Sequence, residues 1–208
     1  MKELVSNNIA SFEAQMVEES QKVMTSDEIL DMYGSEMDGN PSVYCSTYGK
    51  YNNGCLFGLW LDITKFYDYD EFIDVCRQLH ADEENPELMF QDYEFFPREL
   101  YSESCMDEDT FEKILDYGSL SEDDKEAFDD FLQNNDFDME KFHEAYIGKW
   151  GSKEEFAYHI IEECYDLEKM MGDLARFFDY EKFAQELFDS EYFMDDNGHV
   201  FKNLRHRI

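Results

Sequence analysis

The stretch FHEAYIGKWGSKEEFAYHIIEE, Phe142 to Glu163, constrains any fold open to this chain. It joins two helical patterns through a Gly-rich connection. Upstream, Phe142, Ala145 and Tyr146 fall at i, i+3 and i+4 and make one apolar face. Gly148 and Gly151 break that pattern, with Trp150 between them. Ser152 then takes the N-cap position with Glu155 three residues on, the spacing of a capping box. Downstream, the period turns Phe156, Ala157, Ile160 and Ile161 inward and Glu154, Glu155, Glu162 and Glu163 to solvent. Aromatics on one side and carboxylates on the other recur along the whole chain. The core must be built from rings, and the surface is acidic by design.

Composition sharpens the point. Among 208 residues, 51 Asp and Glu oppose 17 Lys and Arg, a formal net charge of -34. Such a charge suits a disordered tail only where hydrophobic content is low. Here it is 43%, with 19 Phe and 14 Tyr, so the chain folds despite its self-repulsion. Either the charge is kept for a purpose or salt screens it, as in a halophile. The charge excludes unaided binding to nucleic acid or to an anionic membrane and makes basic grooves the natural partners. Five cysteines, odd in number and never in a CxxC pair, imply free and mostly buried thiols in a reducing compartment. No apolar run approaches ~20 residues and no signal-peptide pattern opens the chain, so a soluble cytoplasmic protein is expected.

Taken in order, residues 1–40 read as a helical N-terminal extension. Ile9, Phe12, Met16 and Val23 lie on one stripe, and a shorter helix around Ile29 and Leu30 ends at Gly34. Ser35 to Pro41 is turn chemistry. From Val43 the pattern favours strands at roughly 42–48 and 55–62, joined by a tight turn at Asn52-Asn53-Gly54. A helix follows over Asp68–Leu79 and a third strand over 88–95. Further helices are expected from Asp107, from a Ser121 cap, over Met139–Tyr146, over Leu167–Ala175 and over Tyr180–Leu187. The chain closes in strand around an Asp196-Asn197-Gly198 turn. The fold class is α+β: a helix-rich, elongated chain of small domains with short antiparallel sheets near each end. The expected divisions are 1–40, a small α+β domain at 41–100, a helical bundle at 101–150 and a C-terminal α+β domain at 151–208.

Most acids fall where helical or strand periods point outward. Asp92 and Glu94 share one face of a strand flanking Tyr93. Asp109, Glu112 and Asp116 face out from the helix after Asp107. Over 121–140, Glu122, Asp123, Asp124, Glu126, Asp129, Asp130, Asp136, Asp138 and Glu140 stand against Lys125 alone, a net of -8 in twenty residues. Glu144, Glu154, Glu155, Glu162 and Glu163 extend the series. Trp60, Tyr93, Tyr146, Gly148, Trp150 and Phe156 are the structural or interface anchors that hold these acids in place.

Other chemistry finds little support. An EF-hand needs acids at positions 1, 3 and 5 before its Gly, and Gly198 would put Phe193 first. His199 and His206 are too isolated for zinc. No cofactor motif is present, and abundant carboxylates make any catalytic pair uninformative. His143 and His159 sit beside apolar helical positions as packing residues. The chain is therefore expected not to be an enzyme.

Four segments carry a family resemblance. VYCSTYGKYNNGCLFGLWLDI resembles the opening hairpin of the ArdA antirestriction family, and FQDYEFFP resembles that family's His-Asp-Tyr-Glu-Gly-Phe-Pro element. FHEAYIGKWGSKEEFA is similar to its Ala-Tyr-x-Gly segment and following helix, and FFDYEKFAQEL with GHVFKN to its closing helix and strand. The likeness runs over about 42–203 in the family's order. Gln91 stands where the pattern has His and Phe95 where it has Gly, and residues 1–40 have no counterpart.

The resemblance implies a DNA mimic: a homodimer of elongated, three-domain chains, carried by mobile elements, that fills the DNA groove of type I restriction–modification enzymes at their methyltransferase core. It places the dimer contact in the C-terminal domain. Charge arithmetic agrees, since duplex DNA carries one charge per about 1.7 Å, so 34 charges match ~58 Å of duplex. The other class open to such a chain is an acidic module for a different basic protein, such as a histone-like protein or a repressor.

Overall fold

In the computed structural model, residues 23–204 are described. They hold nine α-helices and six strands, the strands forming two separate three-stranded antiparallel sheets. The chain is α+β. Packing divides it into two compact units between Ser119 and Leu120.

The first unit opens with α1 (Ser26–Tyr33), started by a full capping box between Thr25 and Glu28. Then come β1 (Ser42–Thr47), α2 (Tyr48–Asn52), β2 (Leu59–Asp62), α3 (Tyr69–Leu79), β3 (Leu88–Glu94) and α4 (Glu108–Gly118). The sheet runs β2-β1-β3. Its apolar side chains meet α3 and α4 through rings: Phe72 lies 5.7 Å from Phe90, 5.4 Å from Phe111 and 5.1 Å from Phe66. Within the stretch expected as an N-terminal extension, α1 contributes Ile29 and Tyr33 to this core, and Ser35 N donates to Trp60 O. The stripe through Ile9, Phe12 and Met16 lies outside the described residues.

The tight hairpin at Asn52-Asn53-Gly54 does not form. Thr47 caps α2, the helix runs to Asn52, and Gly54 (φ +74°) turns the chain back as Cys55 N donates to Lys50 O. The strands still pair, Val43 opposite Leu61, but an eleven-residue connection (48–58) joins them instead of a two-residue turn. Of the Asn-Gly step, only Gly54 takes a positive φ; Asn53, at φ -91°, ends the helix instead of turning a hairpin.

The second unit holds α5 (Glu122–Leu132), α6 (Met139–Ala145), β4 (Tyr146–Lys149), α7 (Lys153–Cys164), α8 (Leu167–Met171), α9 (Tyr180–Ser190), β5 (Tyr192–Met194) and β6 (His199–Lys202). The sheet order is β4-β6-β5. Two ring clusters fill it. Phe128, Phe131, Phe142 and Phe201 pack together, and Phe156, Ala157, Ala184, Leu187 and Val200 form the other core. Fully burying one Phe is worth roughly 1.5–3 kcal/mol, a large fraction of a typical domain's net 5–15 kcal/mol.

Tyr146 belongs to β4, not to the preceding helix, because β6 offers the ladder that pairs it with Phe201. The Ser152 cap forms, but the Glu155 carboxylate accepts from Gly151 N, one residue early, instead of from Ser152 N as a reciprocal box requires. Leu167–Ala175 is not one helix, since Gly172 (φ +57°) separates α8 from a 3₁₀ segment, Gly172–Phe177. All five cysteines are free as expected, yet only Cys45 and Cys76 are buried.

Candidate functional site

Seventeen of the nineteen acids singled out from the sequence are exposed, and only Asp124 and Asp130 are half-buried. Each owes its placement to what its element buries. On β3, Met89 and Phe90 face the core while Asp92 and Glu94 alternate outward around a half-buried Tyr93. On α4, Phe111, Ile114 and Tyr117 turn in, leaving Asp109, Glu112 and Asp116 in solvent. On α5, Ala127, Phe128 and Phe131 are buried against Glu122, Asp123, Glu126 and Asp129 on the open side. Asp136, Asp138, Glu140 and Glu144 surround α6, where Asp138 also caps the helix by accepting from Lys141 N. On α7, Phe156, Ala157 and Ile161 are buried and Ile160 is half-buried, so Glu154, Glu155, Glu162 and Glu163 stay exposed.

Few cations neutralise these surfaces. Lys113 pairs with Asp109 (2.6 Å), Lys125 with Glu122 (2.9 Å) and Lys149 with Glu126 (2.7 Å). The bond and charge of Lys149 hold Glu126 below the usual carboxylate range.

The anchors divide into core and edge. Phe156 is wholly buried, with Trp150 edge-on at 4.7 Å. Trp60 is half-buried beside Tyr44, and Tyr93 stacks on Tyr101 at 4.3 Å. Gly148 sits at φ +146°, where a Cβ would meet the Trp150 ring at 3.0 Å. His143 and His159 are exposed, not packed inside; each only flanks a ring, Phe142 and Trp150 at 5.5 Å.

Sequence reasoning missed one cluster. His199, isolated in the chain, is fully buried at the start of β6. Its Nδ1 lies 2.8 Å from Asp195 Oδ2 and 3.5 Å from Asp130 Oδ2, and its Nε2 lies 3.5 Å from Glu126 Oε2. Burial raises the Asp195 pKa, but the backbone and ring N–H groups of His199 outweigh it and leave the carboxyl below its usual range. Asp130 and Glu126 lie 69 and 73 residues before His199, so no local signal could have joined them to it; only the Asp196-Asn197-Gly198 turn was visible.

Comparison with known families decides the class. The model of the antirestriction protein ArdA matches residues 43–201. The chain belongs to the ArdA antirestriction family. For an ArdA protein the implied counterpart is a restriction enzyme, and no described helix is long and apolar enough to cross a membrane. No curated protein matches the sequence. The matched span opens at Val43 in β1 and closes at Phe201 in β6, so it takes in both sheets of this ArdA chain but omits α1. The departures from the family pattern have structural counterparts. Gln91 is the residue skipped where Tyr44 pairs Asp92 and Cys45 pairs Phe90, and Phe95 holds a left-handed φ of +65°.

Proposed function

We propose that this ArdA protein inhibits type I restriction–modification enzymes as a DNA mimic, without catalysis, its carboxylates taking the places of phosphates in the enzyme's DNA groove. Protection of incoming mobile-element DNA would follow from that occupancy.

The charge spacing on α5 carries the reading. Its 11 residues hold six acids and Lys125, a net of five negative charges. At 1.5 Å per residue the helix spans ~16.5 Å, or ~3.3 Å per net charge, against about 3.4 Å per charge along one DNA strand. Buried Phe128 and Phe131 fix which way those acids point. Asp130 turns towards His199, and the other acids of this rigid element present closely spaced charge to Lys and Arg side chains that evolved for DNA.

The test is competition. Purified protein is added to labelled duplex bound to a type I methyltransferase core at low and moderate salt. Displacement near stoichiometric amounts supports the reading. No displacement at any salt refutes it and leaves an acidic module for another basic protein.

A homodimer is proposed on a separate observation. From Tyr165 to Phe177, neither α8 nor the following 3₁₀ turn buries a residue, and Tyr165, Met170, Met171, Leu174 and Phe177 are all exposed. Apolar surface of this kind marks an interaction face. Leu174→Glu with Phe177→Glu should convert a dimer to a monomer in analytical ultracentrifugation; an unchanged dimer places the contact elsewhere.

A further inference from the structure

We propose that Asp130, Asp195 and His199 bind one divalent transition-metal ion of the Mn²⁺ or Zn²⁺ class, clamping α5 to the β5–β6 turn. One ligand atom from each lies within 4.8 Å of the other two. Ligands about 2.1 Å from a shared ion lie ~3 Å apart when adjacent and ~4.2 Å apart when opposite. The 2.8 Å and 3.5 Å separations from His199 Nδ1 fit adjacent positions.

A second observation points the same way. His199 is fully buried, and among the described residues its Nε2 has no hydrogen-bond partner. That nitrogen faces Glu126 Oε2 at 3.5 Å. With Nδ1 on an ion, Nε2 carries the proton and turns it towards a carboxylate, the arrangement that orients metal-bound histidines. The orphaned atom then has a role as a donor towards Glu126.

The turn is already built for this. Asp195 Oδ1 accepts from Asn197 N and His199 N, which leaves Oδ2 aimed at the imidazole. Asn197 Nδ2 steadies Asp130 Oδ2 at 2.8 Å. Lys149 offsets Glu126, so a divalent ion would balance the two aspartates and leave the imidazole neutral. A donor set of two oxygens and one imidazole nitrogen suits Mn²⁺ or Zn²⁺ better than all-oxygen Ca²⁺ or Mg²⁺. The Asp130 side chain, 20% exposed, leaves an entry path.

The experiment is titration of chelator-stripped full-length protein with Mn²⁺, Zn²⁺ and Co²⁺ in excess Mg²⁺, which occupies the diffuse acidic surface. The expected result is one ion per chain, a visible Co²⁺ absorption band and a thermal midpoint raised by roughly 5–15 °C. Asp130→Asn, checked for fold by circular dichroism, should lose about 100-fold or more in affinity, and Glu126→Gln about 10–100-fold. Glu186→Gln, on the exposed face of α9, should bind as the parent does. Binding that Mg²⁺ abolishes, or that survives Asp130→Asn unchanged, overturns the proposal and makes the cluster an ion-pair network.

Discussion

Phe95 shows how one residue can carry a cost that the surrounding fold absorbs. It sits at φ +65°, a region that costs a residue with a Cβ about 1–2 kcal/mol, and the residue is 39% exposed. The resemblance puts Gly at this step, which would take the same φ freely. Phe95→Gly removes the strain but adds about 0.5–1 kcal/mol of unfolded-state entropy. The expected net effect is a change from neutral to about 1 kcal/mol stabilising. Phe95→Ala keeps the strain, so it should be the less stable of the two variants. Urea unfolding of the two variants checks the order: if Ala is better tolerated than Gly, the unfolded-state entropy of Gly outweighs the strain it relieves. Gly198 is the converse case. At φ +90° its missing Cβ would stand 2.4 Å from Trp150 O, so a side chain there must push the β4 and β6 edges apart.

At the scale of elements, the sequence made the helices legible because their caps and apolar periods are local. Ser121 and Ser152 cap as expected, and Asp68, Asp107 and Asp138 cap helices whose starts were expected within one residue of them. What was not legible depended on partners far along the chain. Tyr146 continues a helical stripe by spacing, yet β6, more than fifty residues on, draws it into a ladder. Asp130, Asp195 and His199 fail for the same reason. The region after β1 failed differently, because α2 is held by a distant turn: Lys50 Nζ reaches Asp82 (2.7 Å) and Glu83 (3.2 Å), and Glu83 also accepts from Thr47.

Those contacts set a pH window. Lys50 lowers the pKa of Asp82, and Thr47 with Lys50 lowers that of Glu83, from ordinary values of 3.8 and 4.5. Burial pulls the Lys50 pKa down, but its two carboxylate partners outweigh this and leave it above 10.5. Lowered acids contribute stability above their ordinary pKa and lose it as pH falls through the folded value. A raised lysine contributes below 10.5 and loses it as pH rises further. Lys50→Gln should therefore show a constant stability deficit between about pH 5 and 10, shrinking below about pH 4. Asp82 is largely exposed, so the deficit is small, on the order of 0.5–1 kcal/mol. Chemical denaturation across pH measures it; a deficit that persists at pH 3 would assign it to packing of the lysine stem.

For the whole molecule, the same charge acts in opposite directions on folding and on binding. A net -34 on 208 residues repels itself, and the aromatic cores offset that repulsion. Exposed charges are screened over about 10 Å at 0.1 M salt and about 3 Å at 1 M. Raising NaCl from about 0.05 to 0.5 M should thus raise the thermal midpoint by several degrees. In the mimic reading, those carboxylates pair with enzyme Lys and Arg, and the same rise should weaken direct binding to the methyltransferase core by about tenfold or more. Binding must be followed by calorimetry and not by DNA displacement, because salt also weakens the enzyme's grip on DNA. The pairing of signs is the informative result, since a halophile's surface would gain stability with salt while its partner affinity stayed flat. Stability that falls with salt would mean the acids sit in net attractive networks. Binding that holds at 0.5 M would mean that apolar contact, and not charge, secures the partner.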